Sequence, residues 1–60
     1  MNNYNIYVNT ENEKYKTIDI IRSTGAILTG VSGCGTGYYI QLDATATQAD
    51  KINELLEVLR

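Results

Sequence analysis

Apolar and polar residues alternate at the start of the chain. Tyr4, Ile6 and Val8 fall on one face of an extended segment, whereas Asn5 and Tyr7 fall on the other. A period of two is typical of a half-exposed β-strand. The polar stretch that follows predicts a turn after this strand.

The segment from residue 14 to residue 23 fits two different periodicities. Read as a strand, it has four β-branched residues within five positions: Thr17, Ile18, Ile20 and Ile21. Read as a helix, it follows a capping box from Thr10 to Glu13 and precedes Gly25, which stands where a glycine often ends a helix. We prefer the strand, because the β-branched run outweighs the capping signals, and we keep the helix as the alternative.

Two further strands are predicted on either side of a glycine-dense segment. Residues 26–31 and residues 38–42 have strand composition, and the second run places Tyr38 on one face and Tyr39 on the other. The segment Gly30–Gly37 between them predicts a wide turn or a bulge.

The end of the chain carries an apolar stripe at helical spacing, formed by Ala49, Ile52, Leu55, Leu56 and Leu59. Thr47 and Asp50 approximate a capping box at its start. Val58 lies off the stripe, so it either widens the buried edge or contacts a second chain. This pattern predicts a C-terminal amphipathic helix.

These elements predict one α+β domain over residues 1–60. We expect a small antiparallel sheet of three or four strands with the C-terminal helix packed on one face. The preferred order is ββββα, and βαββα is the alternative. One helix covers only one face, so the other face would expose Tyr7 and Tyr39, together with Ile21 if residues 14–23 form a strand. Exposed aromatic surface often marks an interaction site.

The composition favours a folded chain, but one that is too short to be stabilised by its own hydrophobic core alone. Its 43% hydrophobic and 20% charged residues argue against disorder. Folds below roughly 70–80 residues usually need disulfides, a metal or oligomerisation. One Cys and no His supply neither a disulfide within the chain nor an ordinary metal site. We therefore expect self-association.

The same counts exclude several classes of function and compartment. No apolar run approaches the roughly 18 residues of a membrane span, and the start of the chain lacks a signal-peptide pattern. The single Cys and the missing signal-peptide pattern together predict a cytoplasmic protein. Five basic against seven acidic residues argue against direct nucleic-acid binding. Without His, the common general base and nucleophile pairs are missing, so we expect neither an enzyme nor a cofactor.

The glycine-dense segment is the strongest candidate for ligand binding. Its backbone N–H groups could form an anion-binding nest, although it is neither a Walker A loop nor a dinucleotide fingerprint, since Tyr38 stands at the third glycine position of the fingerprint. A nucleotide-like anion held between subunits would use Arg22, Ser32, Gly33, Gly35, Thr36 and Tyr39.

Cys34 lies between two glycines of this segment. If it is exposed, it is a reactive thiol or a partner in an intermolecular disulfide. No His is present to activate it, and its chain neighbours carry no cation. We favour a small, partly buried residue without chemistry at this position.

Tyrosine is the only aromatic residue type, and it suits contact surfaces because it combines flat apolar area with a hydroxyl. The candidate interface residues are Tyr7, Tyr15, Tyr39 and Val58. We therefore expect a small non-enzymatic binding protein that acts as a homo-oligomer, as a protein-interaction or inhibitor module of the kind that phages and mobile elements encode. The alternative is an oligomeric protein that binds or sequesters a nucleotide-like ligand.

Overall fold

The computed structural model describes residues 1–59, including every side chain in that range except that of Cys34. The elements in chain order are β1 (Asn2–Val8), α1 (Glu11–Ser23), β2 (Ile27–Cys34), β3 (Gly37–Ala44) and α2 (Ala46–Leu59). The predicted α+β class with a small antiparallel sheet is confirmed. The preferred order ββββα is wrong, and the order is the alternative, βαββα.

Helix α1 forms where a strand was preferred, because capping and burial agree on a helix. Thr10 is the N-cap, and its Oγ1 accepts a hydrogen bond from the backbone N–H of Glu13 at 3.2 Å. Just past the helix, Gly25 has a φ of 83°, which favours glycine. The helix buries Thr17 and Ile21 completely, and this burial overrides the weak intrinsic preference of β-branched residues for strands.

The sheet has three strands in the order β1-β3-β2, and both strand pairs are antiparallel. The outer strands β1 and β2 therefore run parallel to each other, and α1 connects them across the central strand. This is a split β-α-β arrangement. Strands β1 and β3 pair without interruption, whereas the pairing of β2 with β3 shifts at a bulge between Leu28 and Gly30.

Both helices pack on the same face of the sheet. Ile21 of α1 and the pair Ile52 and Leu56 of α2 belong to one core cluster with the inward residues of the strands, namely Val8, Ile40, Leu42 and Ala44. The predicted packing of the C-terminal helix on one face is confirmed. Neither helix within residues 1–59 is long and apolar enough to cross a lipid bilayer.

The glycine-dense segment is mostly strand rather than turn. Strand β2 continues through Cys34, and only Gly35 and Thr36 separate it from β3. Gly30 lies at the bulge and Gly33 opposite Tyr38. The prediction of a wide turn is wrong because pairing with β3 satisfies the backbone groups of this segment in a ladder.

The N-terminal cap of helix α2 is Thr45, two residues before the predicted cap, Thr47. The backbone N–H of Thr45 donates to Gln48 Oε1 at 3.0 Å, and the N–H of Gln48 donates to Thr45 Oγ1 at 3.2 Å. This reciprocal pair is a capping box, and it replaces the predicted pair of Thr47 and Asp50. Gln48 Nε2 also donates to the carbonyl oxygen of Thr24 at 3.2 Å, which ties the start of α2 to the end of α1.

Candidate functional site

The face of the sheet opposite the helices carries no covering element within residues 1–59, and we call it the tyrosine face. Its centre is a row across all three strands, in which Tyr7 lies opposite Tyr39 and Tyr39 lies opposite Ser32. The remaining outward residues are Asn3, Asn5, Ile27, Gln41 and Asp43. Strict alternation along β1 and β3 places their residues on one side. Ile27 and Ser32 of β2 lie on the same side because they pair with Asp43 and Tyr39.

Tyr7 and Tyr39 form an exposed aromatic pair. Their ring centroids lie 5.1 Å apart with an interplanar angle of 57°. Tilted pairs at this distance are attractive, because the edge of one ring meets the face of the other. Tyr7 is 39% exposed and Tyr39 is 46% exposed, so the two rings present a joint surface to solvent.

The backbone of Gly37 and the turn hold the ring of Tyr7 in place. A Cβ atom at Gly37 would lie 2.8 Å from Tyr7 Cζ and 2.6 Å from its hydroxyl oxygen, and it would overlap the carbonyl oxygen of Val8. The hydroxyls of Tyr7 and Thr36 are hydrogen-bonded at 3.2 Å. These contacts within the chain restrict the Tyr7 ring, and a side chain that is already restricted loses less conformational entropy on binding.

The tyrosine face is almost uncharged. At one end, Asn3 Nδ2 donates to Asp43 Oδ1 at 3.1 Å, and nearby Ile27 is 52% exposed. Asp43 is the only charged residue on the three strands. The basic side chains of the described part of the chain lie on the helices: Lys14, Lys16, Arg22 and Lys51. The face therefore offers aromatic, amide and hydroxyl groups rather than positive charge.

The structure brings together only part of the predicted interface set. Tyr7 and Tyr39 are adjacent on the tyrosine face, but Tyr15 and Val58 lie on the helices. The hydroxyl of Tyr15 donates to Glu11 Oε1 at 3.2 Å, and Lys14 Nζ lies 4.6 Å from the centre of its ring. Val58 is 83% exposed on α2, so the stripe of that helix does not widen to include it.

The predicted ligand residues lie in three separate places. Gly33, Gly35 and Thr36 line a shallow depression of about 430 Å³ beside the turn between β2 and β3. Ser32 and Tyr39 lie on the tyrosine face, as described above. Arg22 lies in the last turn of α1.

The depression has one charge of each sign nearby, since Lys14 Nζ lies 4.6 Å from the ring centre of Tyr38, which also lines it. Glu11 lies at the start of α1 and lines the depression. At about 1.5 Å of rise per residue, Arg22 lies roughly 16 Å from Glu11 along the helix axis. A single chain therefore does not place Arg22 at the glycine residues, and the cation of the same chain that lies near them is Lys14.

The side chain of Cys34 lies outside the described residues, so its exposure and reactivity stay predictions. Among residues 1–59, no group of three or more His, Cys, Asp or Glu side chains is arranged to hold a metal ion. The sequence did not reveal that the Tyr7 ring packs against the backbone of Gly37, since that contact depends on the register of β1 against β3. The alternation of Asn3 and Asn5 with inward residues was a signal for the rest of the face.

No family model, curated protein or solved structure matches this chain.

Proposed function

We propose that the chain is a non-enzymatic protein-binding module that acts as a homo-oligomer and holds its protein partner against the tyrosine face. The observation that supports it is the exposed, mutually packed pair of Tyr7 and Tyr39 on a sheet face that no other described element covers. Tyrosines surrounded by small polar groups are typical of binding surfaces such as antibody paratopes. The pair would act as the centre of the contact.

The charge of the face supports a protein partner rather than a polyanion. Affinity for nucleic acid depends on Lys and Arg near the phosphates, and the three strands carry none. The carboxylate of Asp43 and the neutral amides fit a partner surface that is neutral or weakly basic. An apolar or aromatic patch on that surface would pack on Tyr7 and Tyr39.

Selection from a peptide library displayed on phage tests this proposal, with the purified chain as bait. Peptides selected on the unmodified chain should lose affinity for Tyr39→Asn by about tenfold or more, because a central tyrosine is a frequent hot spot. Tyr15→Asn is the matched control, since Tyr15 is at least as exposed as Tyr39 but lies on α1. Peptides that ignore Tyr39→Asn and respond to Tyr15→Asn would contradict the proposal.

Binding of a nucleotide-like ligand between subunits is the weaker proposal. The depression beside Gly33 and Gly35 supports it, because backbone N–H groups of glycine can approach an anion closely. The carboxylate of Glu11 at the same depression opposes an anionic ligand, whereas the ammonium of Lys14 beside Tyr38 favours one. Native mass spectrometry of freshly purified protein would show a retained small molecule if this proposal holds.

A further inference from the structure

Strand β1 is an edge strand without the features that usually protect an edge. Its outer side has no strand beside it among the described residues, since β3 pairs with its other side. The seven residues Asn2–Val8 contain no charge and no proline, and they pair with β3 without a bulge. Natural edge strands are commonly shielded by charges, prolines or bulges. The opposite edge, β2, has such a bulge at Leu28 and Gly30.

A groove runs beside this open edge, underneath helix α2. It has a volume of about 500 Å³, and its lining residues are Asn5, Ile6, Tyr7, Asn53, Leu56 and Glu57. Ile6 and Leu56 form an apolar floor, whereas Asn53 and Glu57 supply polar groups at the rim. A strand added to β1 would send its inward side chains into this groove.

We propose that β1 of a second copy of the chain pairs antiparallel with this edge about a two-fold axis at Asn5. Asn5 is the central residue of β1, so this register pairs all seven residues of both strands. It places Tyr4 opposite Ile6 of the second copy. Residues that face the helices in one copy thus pair with residues that face the helices in the other, so the apolar face continues from one sheet into the next. Two uncharged strands meet without repulsion.

The chemistry of the groove selects a second copy as the occupant. Tyr4 points inward and is half-buried in the single chain. In the paired register, its ring enters the groove of the second copy beside Ile6 and Leu56, and its hydroxyl reaches the polar rim at Asn53 and Glu57. The two-fold axis makes this contact twice. Pairing also supplies the stabilisation that a small core without a disulfide lacks.

The resulting sheet has six strands, with four helices on one face and both tyrosine faces side by side on the other. This proposal rests on the homo-oligomer of the proposed function, but it uses the edge of the sheet and leaves Tyr39 free for a partner. The two proposals are therefore separable. A contact between two tyrosine faces is the competing way to build a dimer.

Introducing a charge at the two-fold axis tests the edge contact, with sedimentation equilibrium as the measurement. Asn5 is exposed in the single chain, so Asn5→Lys or Asn5→Glu should leave each chain folded, as circular dichroism would check. In the dimer, each variant places two like charges directly opposite one another, and we expect dimer dissociation constants about tenfold higher or more. An equal mixture of the two variants should restore the dimer, because the charges are then opposite.

Gln41→Lys is the matched control. Gln41 is also exposed on the tyrosine face, but it lies on the central strand β3. The edge contact predicts an unchanged dimer for Gln41→Lys and for Tyr39→Asn. A monomeric unmodified chain, a dimer that Gln41→Lys weakens as much as Asn5→Lys does, or a mixture that fails to restore the dimer would each overturn the proposal. Loss of peptide binding by Tyr39→Asn in an intact dimer would still support the proposed function.

Discussion

The contact between the Tyr7 ring and the backbone of Gly37 requires glycine at residue 37. Any side chain there would meet the Tyr7 ring and the carbonyl oxygen of Val8, and backbone atoms cannot move aside without disturbing the pairing of β1 with β3. The ring, its hydrogen bond to Thr36 and its contact with Tyr39 therefore depend on the absence of one Cβ atom.

Gly37→Ala should lower the free energy of unfolding by about 1–3 kcal/mol, as overpacking usually does. Urea denaturation would measure it. The matched control is Gly35→Ala, because a Cβ atom at Gly35 meets nothing within 4 Å. Equal losses in the two variants would show that the clash at Tyr7 is unimportant.

Thr17 carries a buried hydroxyl without a partner. Its side chain is fully buried on α1, and its Oγ1 makes no hydrogen bond. Thr17→Val keeps the shape of the side chain and removes the unsatisfied group, so it should raise the free energy of unfolding by about 1 kcal/mol. Thr17→Ser is the control, because it keeps the hydroxyl and loses the methyl group. A destabilised Thr17→Val variant in urea denaturation would contradict this assignment.

At the scale of the element, α1 shows how a correct local signal can be outweighed in sequence reasoning. Thr10, Glu13 and Gly25 each marked a helix boundary, and the structure uses Thr10 as the N-cap and gives Gly25 a positive φ just past the helix end. The β-branched run favoured a strand only in the absence of tertiary contacts. Once Thr17 and Ile21 are buried, packing decides the conformation.

The cap of α1 gives a prediction at this scale. Thr10→Ala removes the acceptor for the Glu13 N–H and should cost about 1 kcal/mol of stability. Thr10→Asn restores an acceptor at the N-cap and should recover most of that loss. Thermal unfolding followed by circular dichroism would compare the variants, and an equal loss for alanine and asparagine would argue against the cap.

The same reasoning explains the predicted site. Alternation in β1 and β3 correctly predicted that Tyr7 and Tyr39 share the uncovered face. It could not place Tyr15 and Val58, because their surroundings depend on how the helices pack. Arg22 and the glycine residues were grouped by residue type, and the length of α1 keeps them apart within one chain.

At the scale of the whole molecule, the sheet is covered by helices on one face only, and the core between them is small. The helices occupy one face of the sheet, and the other face and the β1 edge stay open among the described residues. A chain of this size buries a smaller fraction of its surface than larger domains do. Association with a second chain would bury some of this open surface, and it would add stability that the small core does not supply.

Thermal stability should accordingly depend on protein concentration. If the dimer dissociates as its chains unfold, roughly a hundredfold rise in protein concentration should raise the midpoint temperature of thermal unfolding by about 5 °C or more. The Asn5→Lys variant should show a smaller dependence. A midpoint that is constant across the series for the unmodified chain would show that association does not stabilise the fold.

The sequence by itself determined the elements whose period is unambiguous: the faces of β1 and β3, the stripe of α2, and the lack of residues for a disulfide within the chain or an ordinary metal site. Only the tertiary structure decided that residues 14–23 form a helix, that the strand order is β1-β3-β2, and that Tyr7 packs on Gly37. Intrinsic preferences differ by less than about 1 kcal/mol per residue. Burying an Ile side chain contributes about 1.5–3 kcal/mol, so contacts between distant residues decide wherever local signals conflict.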